Sequence, residues 1–167
     1  MSHPSSTLDP TIKAEILALY AEIDAAVAAA GPRCDSSGKC CHFREYGHVL
    51  YLTELEAQVL LESAPPYTQP IDSGGCPFQI NNLCTAREPR PLGCRIYFCD
   101  PTYQDTGNAL MESALARLRT LSDTHGLEWR YAPLHVFLNE ADRSEFPVLE
   151  SAPSSPNGRR SLPLTAD

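Results

Sequence analysis

Seven cysteines lie between Cys34 and Cys99, and the rest of the 167-residue chain has none. They fall in two groups. Cys34, Cys40 and Cys41 form the first; Cys76, Cys84, Cys94 and Cys99 form the second. Because seven is odd, a framework made only of disulfides would leave a thiol over. The segment Met1 to Ser6 has neither the basic start nor the apolar stretch of a secretory signal. No apolar run approaches the roughly 20 residues that span a bilayer. The expected location is therefore the cytoplasm, where glutathione keeps most disulfides open. Free cysteine is often a small buried hydrophobe, but seven at this spacing exceed what core filling needs. A crowd of thiols in a reducing compartment points to metal.

Soft thiolates bind zinc or iron–sulfur clusters when several sulfurs converge on one point. All seven, Cys34, Cys40, Cys41, Cys76, Cys84, Cys94 and Cys99, are candidate ligands. The adjacent pair Cys40-Cys41 is awkward for one tetrahedral zinc, since successive side chains diverge. It suits different metals, or different corners of a polynuclear centre. A split of four and three is also open, the smaller site taking His42, His48 or solvent. An iron–sulfur cluster is the first expectation and zinc the alternative. Gly38, Gly75 and Gly93 stand beside candidate ligands, where backbone often needs conformations that other residues avoid. Arg87, Arg90 and Arg95 lie within the second group, and a guanidinium would offset the negative charge of a thiolate centre. Arg95, directly after Cys94, is the expected cofactor-contacting cation.

Other chemistries find little support. A net charge of -8 argues against a protein that grips nucleic acid by neutralising phosphates. A catalytic thiol needs one lowered pKa, and a crowd of cysteines does not supply it. Gly74-Gly75 and Gly107 are isolated and make no nucleotide loop. Glu54, Glu56 and Glu62 read as a solvated helix face. His125 and His135 read as ordinary helix-end and core residues, and His3 falls in a terminal segment.

Periodicity supplies the scaffold. Asp9 can cap a helix with Pro10 at its first position, Ile12, Ile16, Leu19, Tyr20, Ile23 and Val27 form its stripe, and Gly31-Pro32 ends it. Residues 33–47 read as loop and 48–52 as a short strand. Thr53 and Glu56 form a capping box for a second helix that ends before Pro65-Pro66. Asn81-Asn82 would turn a small hairpin over 78–85. Residues 86–101 read as turns with one helical turn, and 108–123 as a third helix closed by Gly126. Residues 127–131 read as strand, and 134–139 as strand or short helix. No internal repeat is found. The expected fold is a small, helix-dominated α+β domain over 9–150, with a cysteine-cluster core at 33–100 organised by metal. Residues 1–8 are expected to be flexible. Residues 151–167, rich in Ser, Pro, Asn, Gly and Arg, are expected to be disordered because they cannot bury enough apolar area.

The same residues carry a family likeness. Cys34, Cys40 and Cys41 are followed by Leu52-Thr53-Glu54-Leu55-Glu56, Cys76-Pro77-Phe78, Cys84, Arg90-Pro91-Leu92-Gly93-Cys94-Arg95-Ile96-Tyr97 and Cys99. That order resembles the zinc- or iron-chelating cysteine-cluster family (YkgJ-like), whose opening motif is C-x2-C-x2-C-C. The resemblance covers roughly residues 33–100. It implies metal binding and little about reaction. Ser37 stands where the second cysteine of that motif would be, leaving seven thiols. Three functions follow as expectations: an iron–sulfur protein for electron transfer, sensing or unknown chemistry; a structural zinc module that holds loops for a protein partner; or an iron enzyme with an open coordination position.

Overall fold

The computed structural model describes residues 7–142. It shows a helix-dominated α+β fold with two short antiparallel sheets. Helix α1, Pro10–Ala30, begins as its sequence dictates. The Asp9 carboxylate accepts from the N–H groups of Thr11 and Ile12, and Gly31 ends the helix in the left-handed conformation (φ 63°). Leu8, expected to be flexible, is instead buried, and its N–H donates to Glu62 at 3.2 Å. Residues 1–6 and the tail expected to be disordered lie outside the described residues, as does the boundary at 150.

The stretch 33–47, expected as loop, contains a 3-10 turn, Lys39–Cys41, and one short helix, α2, Phe43–Tyr46. Strand β1, Tyr51–Thr53, leads directly into α3, Glu54–Ser63. The Asn81 and Asn82 turn has positive φ at both positions (52° and 63°), the pattern of a two-residue hairpin turn. It joins β2, Gln79–Ile80, to β3, Leu83–Cys84. Helix α4 is Leu92–Ile96.

Helix α5 runs Gln104–Thr124, one turn earlier than the apolar pattern predicts. The Asp100 carboxylate caps a preceding 3-10 turn, Pro101–Tyr103, which winds straight into it. Gly107 lies buried inside α5, where a Cβ would come within 2.9 Å of the Tyr103 ring. Strand β4, Tyr131–Pro133, pairs antiparallel with β1, Thr53 opposite Tyr131. It begins where the predicted strand was to end. The ambiguous segment after it is helical: α6, Leu134–Glu140.

Two apolar cores result. α1, α3, α4 and α5 enclose one, centred on Ile16, Tyr20, Val59, Leu92 and Leu118. The second lies beneath the cysteine region, where Phe43, Leu52, Phe78 and Leu138 meet, with Cys76 and Cys84 against it. α3 faces both. Among the described residues no helix is long and apolar enough to cross a membrane.

Candidate metal centre

Backbone contacts assemble the cysteine region. Cys76 N–H donates to Cys41 O at 3.0 Å, and Arg44 N–H donates to Gly74 O at 3.0 Å. These two bonds lay the 74–76 loop along the 3-10 turn. Gly75 permits the approach, because a Cβ there would stand 3.2 Å from Cys41 O. Gly38, at φ 72°, lies against the hairpin: Gln79 Nε2 donates to its carbonyl at 2.9 Å. Cys84 pairs with Gln79 across the hairpin, and Thr85 N–H donates to Phe78 O at 2.7 Å. Cys94 comes from α4, whose first N–H, at Leu92, donates to the buried Glu56 carboxylate at 2.7 Å. Glu56 is only 1% exposed, so its place on a solvated face is corrected.

All seven cysteines are free. Five of them, Cys40, Cys41, Cys76, Cys84 and Cys94, interact electrostatically in one region. The Sγ atoms of Cys40 and Cys41 are 3.9 Å apart. A tetrahedron with metal–sulfur bonds of about 2.3 Å has edges of about 3.8 Å. The pair therefore does not diverge as expected, because a 3-10 turn carries it rather than a strand in which neighbours point opposite ways. Cys34 and Cys99, like Cys40, are exposed. Their segments are tied by Arg33 N–H, which donates to the Asp100 carboxylate at 3.0 Å. The thiols neighbour one another without closing on a point: among the described residues, no group of three or more His, Cys, Asp or Glu stands in metal-holding geometry.

Crowding makes ionisation costly. The contact with Cys41, then burial and the Cys41 charge, push the Cys40 thiol far up, while Arg90 opposes the shift. For Cys41 the contact with Cys40 favours the thiolate. Its hydrogen bond with Cys76, burial, and the charges of Cys76 and Cys84 outweigh that, and it is pushed up to about 12. Burial first, and then Cys41, Cys84 and Cys40, hold Cys94 strongly in its neutral form, again with Arg90 opposing. Each thiolate charge opposes ionisation of its neighbours, and a bound thiophilic cation would reverse that balance by deprotonating its ligands. The donor chemistry fits such a cation.

Surrounding side chains sort differently from the sequence expectation. Arg95 is 6% exposed, yet its guanidinium faces α1. It pairs with Asp24 at 2.6 Å, stacks on the Tyr20 ring at 4.1 Å, and donates to the carbonyls of Arg90 (2.8 Å) and Glu88. With its donors so occupied, Arg95 serves as a backbone clamp. Arg90 carries a charge that favours the Cys40 and Cys94 thiolates, and among the described residues its buried Nε has no hydrogen-bond partner. The sequence presented both arginines, and only the packing of α4 on α1 separates them. Arg87 is exposed.

His48 shares a hydrogen bond with Cys40 O at 3.1 Å and stacks on Tyr97, which leaves it steadying the turn. His42 Nδ1 lies 3.7 Å from Glu45, and His125 Nε2 lies 3.7 Å from Glu15. The Ser37 residue is exposed, and its hydroxyl accepts from Lys39 N–H at 3.5 Å, a local turn contact.

No protein-family model matches this chain, and neither the curated proteins nor the solved structures include a significant match to it.

Proposed function

We propose that this protein is a cytoplasmic metal-binding cysteine-cluster protein whose thiols hold an iron–sulfur cluster, serving electron transfer or sensing. One observation carries the reading: five thiols from four separate segments interact in one region. Five thiols supply the four that an iron–sulfur cluster or a tetrahedral zinc takes, so the count supports thiolate metal binding of either kind. The order of motifs, which resembles that of the zinc- or iron-chelating cysteine-cluster family, supports metal binding. Such a cluster, when bound, would supply one-electron chemistry. This chain's residues would hold it through Cys41, Cys76, Cys84 and Cys94, with Cys40 beside them. Cys34 and Cys99 stand at the rim.

A structural zinc site that holds loops for a protein partner is the second reading. The 3.9 Å separation of the Cys40 and Cys41 sulfurs favours it, because it matches one edge of a zinc tetrahedron. Anaerobic purification of the full chain, followed by iron, zinc and acid-labile sulfide analysis, separates the two. Iron with matching sulfide supports the cluster; zinc without sulfide supports the second reading. A chain that takes up neither metal, even after reconstitution, would reject both.

A further inference from the structure

A cleft of about 670 Å³ opens where the N-terminal ends of α1 and α3 meet the segment that follows α5. No cysteine lines it, and its apolar lining is Leu8, Ile12, Leu55, Leu127 and Trp129. Leu8, Ile12 and Leu55 are buried, whereas Leu127 is 38% exposed and Trp129 is half-buried. Removing such apolar surface from water is the main driving force for docking, and an indole ring offers a large area to cover.

The cleft adjoins the point where the described chain ends. Arg130 lines it, and the Glu140 carboxylate in the last turn of α6 holds Arg130 at 2.6 Å. Residues 143–167 continue from there. Within them, Phe146-Pro147-Val148-Leu149 is the densest apolar run and holds their one aromatic ring. Phe146 is six residues past Glu140. Six extended residues span roughly 20 Å, enough to carry the run over the Arg130 wall. Pro147 has a locked φ, which cuts the entropy lost when the run is ordered. Residues 1–6, the other segment outside the described residues, bring one large apolar side chain, Met1, at their far end.

We infer that the run 146–149 docks in this cleft and covers Leu127 and Trp129, so that the folded domain extends past Asp142 to Leu149. The inference is independent of the metal reading.

Trp129 is the only tryptophan of the chain, so its fluorescence reads the cleft directly. In the full chain, Phe146→Ser with Leu149→Ser should shift its emission to longer wavelength and raise its quenching by acrylamide. Leu162→Ser with Leu164→Ser, further along the same tail, should change neither. The far-ultraviolet circular dichroism should match the parent in both. Parent emission and quenching in the Phe146→Ser, Leu149→Ser chain overturn the inference. A red shift on dilution of the parent overturns it in favour of a second copy. A red shift on deletion of residues 2–6, absent from the Phe146→Ser, Leu149→Ser chain, overturns it in favour of the N-terminal segment. Should the Phe146→Ser, Leu149→Ser chain not fold, Trp129→Phe with Phe146→Trp moves the indole onto the run. Short-wavelength emission that resists acrylamide then supports docking, and the emission of a water-exposed indole overturns it.

Discussion

Glu56 links α3, which carries no cysteine, to α4, which carries Cys94, and replacing it tests how the site is held. One carboxylate oxygen accepts from Thr53 N–H at 2.7 Å and Thr53 Oγ1–H at 2.9 Å. The other accepts from Leu92 N–H at 2.7 Å. Glu56, Thr53 and Leu92 are each 1% exposed, so water cannot stand in for the lost acceptor. Glu56→Ala orphans two backbone donors at about 1–3 kcal/mol each. It also dismantles the capping box at α3, so a loss of about 3–6 kcal/mol is expected. For a domain of this size that lowers the melting temperature by about 10–20 °C. Glu56→Gln keeps one acceptor oxygen but turns an amide N–H towards the other donor, and should cost about half as much. Urea unfolding gives the free energy. Hydrogen exchange gives a local readout, because the Leu92 amide should lose protection by about a hundredfold or more. A Glu56→Ala variant within about 1 kcal/mol of the parent, with the Leu92 amide still protected, would show that other groups hold α4.

The cysteines should respond unequally. Cys41→Ser and Cys94→Ser should abolish tight metal retention, whereas Cys34→Ser should keep most of it, as metal analysis after gel filtration would show. Ser37→Cys should leave metal stoichiometry unchanged, since Ser37 is exposed and bonded to Lys39 N–H. Gly38→Ala forces a side chain into the left-handed region at about 1–2 kcal/mol, and its Cβ would stand 2.3 Å from Gln79 Nε2. It should loosen the turn from the hairpin and speed proteolysis between 34 and 42. The hydrogen bonds from Arg130 hold the Glu140 carboxyl below its ordinary value of 4.5. A depressed acid stabilises the fold above its unfolded pKa and loses that contribution as pH falls through the folded one. Arg130→Met should therefore flatten that part of the acid unfolding curve, as melting temperatures from pH 6 down to 3 would show; an unchanged slope would rule the pair out as a contributor.

Local stereochemistry was legible from the chain alone. Asp9-Pro10, the apolar stripe and Gly31 define α1 at both ends, because capping and periodicity involve neighbours three or four residues apart. Asn81-Asn82 turned the hairpin for the same kind of reason: Asn tolerates positive φ. The crowding of cysteines in two groups was equally plain, and five of them lie within electrostatic reach of a neighbouring thiol. Other features depended on contacts that sequence spacing does not encode. Strand β1 exists at 51–53 because β4 arrives from residues 131–133 to pair with it. The Glu56 carboxylate was recognisable as a cap, but its burial follows from α4 laying Leu92 N–H against it. The two arginines show the limit most clearly. Both lie near cysteines in the chain, and only the seating of α4 on Asp24 and Tyr20 of α1 turns Arg95 away and leaves Arg90 with the charge that reaches the thiols. A side chain's identity sets what it can bind. Which partner it meets is set by the packing of elements far apart in sequence.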